Sequence, residues 1–219
     1  MIAPMQATRI LLVRHGETDW NRDARVQGHE DIALNAAGRR QARCLAAALA
    51  AADPIDAVFS SDLARALETA RPCAEAIGAP LQPTPALRER HFGLYQGRRF
   101  VDVRAEQPAQ AERWRRRDPD WAPPGGGESL QQFRDRIVPA VQALAARHLD
   151  RHIAVFTHGG ALDVLYRAAT GLGLQDARTW QLGNAAINRL LWTPDGGFAL
   201  VGWADTLHLV QHALDETLA

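Results

Sequence analysis

The sequence predicts an α/β fold: a three-layer α/β/α sandwich on a mostly parallel central sheet, with an antiparallel edge strand and a small helical cap insertion. Three observations carry this expectation. Ile10-Leu11-Leu12-Val13 is an aliphatic run without polar alternation, which suits a strand covered on both faces in a parallel sheet. Ile153-Ala154-Val155-Phe156-Thr157 has the same character, and the two runs end alike, in Arg14-His15-Gly16 and His158-Gly159-Gly160. Ile187 to Trp192 and Phe198 to Trp203 alternate around Pro194-Asp195-Gly196-Gly197, a hairpin signature that makes one sheet edge antiparallel. Ligands of parallel sheets bind beyond the carboxyl ends of the strands, where Arg14 and His15 fall.

Composition sets the bounds. A chain of 219 residues that is 47% hydrophobic buries a sizeable core as one domain, residues 1–219, with a cap-like insertion at about 98–128. Basic and acidic residues balance at 25 each, so net charge gives no reason to expect nucleic acid or a membrane surface as partner. The sequence contains no lysine, which excludes a Schiff-base lysine and a Walker-type phosphate lysine. Cys44 and Cys73 lie far apart in alanine-rich helical patterns and read as buried, reduced thiols. Met1 to Met5 carries no leader pattern and no stretch nears the ~18 apolar residues of a membrane span, so a cytoplasmic setting is expected, as monomer or homodimer.

In chain order, the loop after His15 holds Trp20, Asn21, Arg25, Gln27 and Gly28 close behind the first strand. Asn35 is a candidate N-cap for an alanine-rich helix running to Ala52. Asp56 to Ser60 reads as a short strand, with Ser61 or Asp62 capping the next helix and Arg65 and Thr69 on one face of it. Pro80, Pro83 and Pro85 mark a non-helical connection leading to Leu87-Arg88-Glu89-Arg90-His91-Phe92-Gly93. The cap stretch contains Arg98, Arg99, Arg113, Arg115, Arg116 and Arg117, interleaved with Trp114 and Trp121. Ser129 and Gln132 form a capping box for a long helix with apolar positions Leu130, Phe133, Ile137, Val141 and Leu144, in which Pro139 is expected to introduce a kink. Gly159 and Gly160 open a last helix whose free N–H groups suit an anion.

Four stretches together resemble the histidine phosphatase superfamily, which includes the cofactor-dependent phosphoglycerate mutases. They are Arg14-His15-Gly16-Glu17-Thr18-Asp19-Trp20-Asn21, Ser60 to Ala70 around Arg65, Leu87 to Gly97 around Glu89, and His158-Gly159. The resemblance implies that His15 is the nucleophile, Arg14, Arg65 and His158 surround the phosphoryl oxygens, Glu89 donates the proton to the leaving oxygen, and Asn21 contacts the phosphoryl group. Gln27, Gly28 and Gly159 are candidate substrate-binding residues beside them. A guanidinium fork matches two phosphoryl oxygens, so Arg14 and Arg65 together would neutralise a phosphate dianion.

The reaction expected is hydrolysis of small phosphorylated metabolites through a phosphohistidine. In this reading the nitrogen of His15 that does not attack is held by a backbone carbonyl, and His158 is protonated. No cofactor and no metal are expected, because HxH and HExxH spacings are missing and arginines adjoin the would-be ligands. The alternative is a cofactor-dependent phosphoglycerate mutase, favoured by Gln96 and by Trp114-Arg115-Arg116. Pro123-Pro124-Gly125-Gly126-Gly127-Glu128-Ser129 and Trp203 to Leu209 resemble the phosphatase branch instead. An inactive phosphoryl-binding module is a third reading, disfavoured because His15 and Glu89 are both present.

Overall fold

The computed structural model describes residues 6–210; the N-terminal pentapeptide discussed above lies outside them. Six strands form one sheet: β1 (Thr8–Arg14), β2 (Ala57–Ser61), β3 (Leu81–Thr84), β4 (His152–Thr157), β5 (Ile187–Thr193) and β6 (Gly197–Asp205), in the order β3-β2-β4-β1-β5-β6. Strands β3, β2, β4 and β1 pair in parallel, and the β5–β6 hairpin closes the other side antiparallel. The helices are α1 (Asp19–Arg22), α2 (Ala36–Ala50), α3 (Ala64–Ile77), α4 (Phe100–Glu106), α5 (Pro108–Arg115), α6 (Leu130–Ala146) and α7 (Gly159–Thr170).

Strand periodicity divides the apolar side chains between two layers. Ile10 and Leu12 of β1, with Ile153 and Val155 of β4, pack on Phe133, Ile137 and Val141 of α6 and Leu162 and Leu165 of α7. Leu11, Val13, Ala154 and Phe156 point the other way, onto Leu45 and Leu49 of α2 and Ala70 and Cys73 of α3. Each fully buried aliphatic side chain contributes about 1.5–3 kcal/mol, so the unbroken aliphatic runs of β1 and β4 explain their central places. Among the described residues no helix is long and apolar enough to cross a membrane.

Local signals behave as their chemistry requires. Asn35 accepts the Gly38 N–H at 2.9 Å, and Ser129 with Gln132 makes both bonds of a capping box, a cap type worth ~1 kcal/mol. Helix α6 continues through Pro139. The segment around Pro83 is a strand, contrary to its reading as a mere connection. Proline is tolerated in β3 because the strand lies at the sheet edge, where no ladder partner needs the missing N–H.

Two further expectations need correcting. Neither Ser61 nor Asp62 caps α3. The helix starts later, at Ala64, whose N–H is taken by Asp31 at 2.6 Å; Asp62 instead forms a bidentate pair with Arg88 at 2.7 and 2.6 Å. Cys44 is only half-buried, whereas Cys73 is fully buried and its thiol is pushed up to about 12 by desolvation.

The stretch 98–128 carries α4 and α5, which pack around their own cluster of Tyr95, Val103, Ala111 and Trp121 with Phe92, Phe100 and Trp114 against it. Tyr95 stacks on Trp114 and Trp121 at centroid distances of 5.8 and 6.2 Å. Most cap arginines are spent on neighbouring carboxylates: Arg98 on Glu106, Arg99 on Asp102, Arg113 on Asp118, and Arg115 and Arg116 on Glu112.

Candidate active site

The sheet register builds the site. Arg14 of β1 stands opposite Thr157 of β4 in a parallel pair, so the next residues, His15 and His158, leave the sheet side by side. The His15 N–H donates to Thr157 O at 3.0 Å, and the two imidazole centroids are 5.3 Å apart. Both rings are buried, at 3% and 0% exposure. Beyond His15 the chain must pass flush against the start of α2: a Cβ on Gly16 would lie 2.6 Å from Gly38 O, so only glycine fits.

His15 Nδ1 lies 2.7 Å from Gly16 O. A carbonyl only accepts, so Nδ1 carries the proton and Nε2 is left with its lone pair. Burial holds the His15 imidazole well below the ordinary histidine range, assisted by the positive charges of Arg65 and Arg14. His158 is lowered well below that range as well, first by burial, then by Arg65, His15 and Arg14. The protonated His158 expected above belongs to the phosphate-bound transition state; burial and the two arginines by themselves favour the neutral ring. His158 Nε2 contacts Ser61 Oγ at 2.8 Å, and its Nδ1 is buried without a partner.

Arg65 is completely buried on α3. Its Nη1 and Nη2 donate to Glu30 O at 2.8 Å and Gly28 O at 2.7 Å, while Nε is buried and unpaired. Desolvation lowers this guanidinium to about 10, still charged at neutral pH. Thr69, one turn on, donates to Arg65 O at 2.7 Å and accepts the Gly16 N–H at 2.9 Å, tying α3 to the histidine loop. Arg14 donates from Nη1 to Leu182 O, and its buried Nε has no partner. The unpaired buried Nε donors of both arginines, beside the unpartnered Nδ1 of His158, mark a place for an anion.

Glu89 faces this cluster from the loop before the cap. Its Oε1 accepts the Arg90 N–H at 2.8 Å and its Oε2 the Gly160 N–H at 2.9 Å. One of the α7 N-terminal N–H groups expected to be free for an anion is thus already occupied by this carboxylate. The Gly159 backbone instead lies against Arg14, whose Nε would be 3.4 Å from a Cβ placed there. Arg14, Glu89, Gly159, Gly160, Arg178, Trp180, Gln181, Leu182 and Gly183 line a cleft of about 630 Å³.

The remaining sequence candidates sit at one remove. Asn21 closes the α1 capping box with Thr18, and its Oδ1 accepts from Asn184 Nδ2 at 3.3 Å. Gln27 is buried with Oε1 unpaired, and Gly28 supplies the carbonyl that steadies Arg65. Gln96 is spent structurally: its Oε1 accepts the His29 N–H at 2.8 Å and its Nε2 donates to Glu30 at 3.2 Å.

Sequence reasoning passed over several contributors. Asn184 Nδ2 also donates to His15 O at 2.9 Å and Gly16 O at 3.2 Å, fixing the histidine turn. Arg136 of α6, paired with Glu128, donates to the carbonyls of Ala86, Arg88 and Glu89 at 3.0–3.1 Å. Their only sequence signal is a polar residue in an otherwise apolar or turn context, which is too common to single out. Among the described residues no group of three or more His, Cys, Asp or Glu side chains is placed to hold a metal.

A mixed α/β sheet that gathers two buried histidines, a buried and a half-buried arginine and a carboxylate beyond the ends of its parallel strands defines a phosphoryl-handling protein. The chain belongs to the histidine phosphatase superfamily (branch 1), whose family model matches residues 10–206. It is 36% identical over 205 residues to a metal-independent phosphoserine phosphatase of Arabidopsis thaliana, covering 93% of this chain and 84% of that protein. It is equally 36% identical to phosphoglycerate mutase-like protein 4 of Arabidopsis thaliana, over 92% of this chain and 87% of the relative. Among solved structures, the mycobacterial glucosyl-3-phosphoglycerate phosphatase superposes with a TM-score of 0.80 at 32% identity, covering 91% of this chain and all of the other.

Proposed function

We propose that this protein is a phosphomonoesterase that hydrolyses small phosphorylated metabolites through a phosphohistidine on His15. The observation that carries the reading is the His15 imidazole itself: Nδ1 is held on Gly16 O at 2.7 Å and burial keeps the ring neutral. An attacking nitrogen must lack a proton at neutral pH, and Nε2 meets that requirement. Names of relatives on both phosphatases and a mutase-like protein agree with phosphoryl transfer from a monoester.

In this reading the phosphate dianion enters between Arg14, Arg65 and His158 and satisfies their unpaired Nε and Nδ1 groups. Its charge reverses the electrostatic field at His158, which then takes up a proton and donates to an equatorial oxygen. His15 Nε2 attacks phosphorus as the ester P–O bond breaks, and the arginines hold the spreading charge of a loose transition state. Glu89 gives a proton to the departing alkoxide and withdraws one from the water that later attacks the phosphohistidine, freeing inorganic phosphate. The two backbone N–H groups on its carboxylate fix its aim.

Hydrolysis is favoured over mutase action because Gln96, the mutase-like feature of the sequence, is committed to His29 and Glu30 rather than to the cleft. We place the protein in the cytoplasm, in keeping with its two free cysteines. The test is a panel of phosphorylated metabolites scored for phosphate release, with His15→Ala as control. In parallel, phosphorus NMR follows 3-phosphoglycerate with a trace of 2,3-bisphosphoglycerate. Phosphate release without prior conversion to the 2-isomer is expected; isomerisation outpacing release makes the protein a mutase.

A further inference from the structure

The two histidines of the site are held by partners of different kinds. A carbonyl faces His15 and can only accept, so that contact alone settles which nitrogen carries the hydrogen. His158 meets a hydroxyl instead, the Oγ of Ser61, 2.8 Å from Nε2, and a hydroxyl can donate or accept. Which of the two it does decides whether the buried, unpartnered Nδ1 carries a hydrogen or a lone pair. A hydrogen there attracts a phosphoryl oxygen; a lone pair repels it.

The hydrogen bonds of Ser61 answer the question. Ser61 is the last residue of β2 and is completely buried, as is His158. Its Oγ accepts the Leu63 N–H at 3.3 Å, and the neighbouring Ser60 spends its own hydroxyl hydrogen on Ser61 O at 2.8 Å. Among the described residues, the one acceptor that Ser61 Oγ touches is His158 Nε2. A buried hydroxyl hydrogen left without an acceptor is costly, so it points at Nε2. Burial, Arg65, His15, Arg14 and His29 all disfavour a charged ring. A neutral imidazole has a single N–H, and with Nε2 accepting, that hydrogen sits on Nδ1.

We infer that Ser61 is a positioning residue for phosphoryl binding: by donating to His158 Nε2, 2.8 Å away, it keeps a hydrogen on Nδ1 for an oxygen of the incoming phosphate. When the bound dianion draws a second proton from water onto the ring, that proton goes to Nε2, and the hydroxyl turns to accept it. The Nδ1 hydrogen therefore stays on the anion in both charge states. A side chain that only donates could serve the first state alone, and one that only accepts the second. Ser61 also takes the Leu63 N–H, in the turn that leads into α3 and Arg65, so one turn places the guanidinium and sets the ring.

This inference rests on the phosphatase reading, and the experiment separates the two because its readouts need no turnover. Nitrogen-15 NMR of histidine-labelled protein, with His158→Asn identifying the resonances, reports the ring of the free protein near neutral pH. The wild type is expected to carry the His158 hydrogen on Nδ1, with Nε2 a hydrogen-bonded acceptor. In Ser61→Ala a ring protonated on Nε2 should appear, and Ser61→Thr, which keeps the hydroxyl, should restore the wild-type signature. Titration of the same resonances with inorganic phosphate should show affinity weakened about 3–10-fold in Ser61→Ala, the worth of one hydrogen bond, and recovered in Ser61→Thr. The wild-type spectrum needs no variant, so it decides the matter even where a substitution at this buried place prevents folding. A wild-type ring with its hydrogen on Nε2, or a folded Ser61→Ala protein whose ring or phosphate affinity is unchanged, overturns the inference and leaves the phosphatase reading standing. Failure of the wild type to turn over p-nitrophenyl phosphate overturns the phosphatase reading, while the spectra and the phosphate titration still decide the role of Ser61.

Discussion

Gly160→Ala tests the placement of Glu89 without touching its chemistry. A Cβ at position 160 would lie 2.2 Å from Glu89 Oε1 and 3.1 Å from Cδ, against the 3.0 Å that real Cβ atoms essentially never breach. The carboxylate must therefore move by about 0.8 Å, and its hydrogen bonds to the Arg90 and Gly160 N–H groups, now 2.8 and 2.9 Å, cannot both survive. It has little room, because Phe133 Cε1 is 3.2 Å from the same point. A misplacement near 1 Å at a reacting group costs on the order of 10²-fold in rate. The loss should depend on the leaving group: about 10²-fold on propyl phosphate, whose alkoxide needs the proton, and about threefold or less on p-nitrophenyl phosphate, whose phenolate does not. The atom the added Cβ meets first is the end of a side chain rather than backbone, so movement of Glu89 relieves the strain and the variant is expected to fold. Steady-state kinetics on the two substrates, with a melting curve as control, measure the effect. An equal loss on both, or none on either, would refute the assignment of Glu89 as the acid aimed by Gly160.

Two further outcomes are expected. In the proposed reaction Arg14, Arg65 and His158 fill the charge-stabilising positions, so turnover should persist in excess EDTA; activity abolished by the chelator and restored by zinc or magnesium would overturn this. Nitrogen-15 NMR of labelled histidine should show His15 neutral, with its proton on Nδ1, from pH 8 down through 6.5, and a ring that titrates at 6.5 or carries its proton on Nε2 would contradict the site. The same depression has a sign for stability. His15 and His158 are lowered in the folded protein, so below an unfolded pKa of about 6.5 the unfolded chain binds more protons, and stability falls as pH drops from there toward their folded values. His158→Asn should therefore flatten the loss of melting temperature between pH 6.5 and 5.

What the sequence revealed, it revealed through strong local patterns. The aliphatic runs of β1 and β4 admit only a doubly covered strand, and their shared histidine–glycine ends point to one cleft once parallel pairing is assumed. Asn35 and Ser129 disclose their helix starts because a cap's side chain and its partner lie three residues apart. The rest depends on contacts distant in the chain. Ser61 and Asp62 fit a capping role equally well, and only the folded structure brings Asp31 to Ala64 and Arg88 to Asp62. The edge position that makes Pro83 harmless in β3 is a property of the sheet. Asn184 reaches His15 across 169 residues, and Arg136 of α6 holds the Glu89 carbonyl across 47. The charge expected on His158 belongs to the site with its phosphate, and the sequence alone shows nothing of the burial and the two arginines that lower the ring in the structure.

The central claim is a covalent phosphoryl group on His15, and direct capture of that species tests it. Glu89→Gln protein mixed with p-nitrophenyl phosphate should form the intermediate readily but pass it to water slowly, because the group that activates water is gone. Quenching in alkali, which preserves phosphohistidine, followed by peptide mass spectrometry and phosphorus NMR, should place one phosphoryl group on Nε2 of His15, and His15→Ala should show none. Turnover without any phosphoprotein, or a phosphoryl group found on His158 instead, would contradict the account.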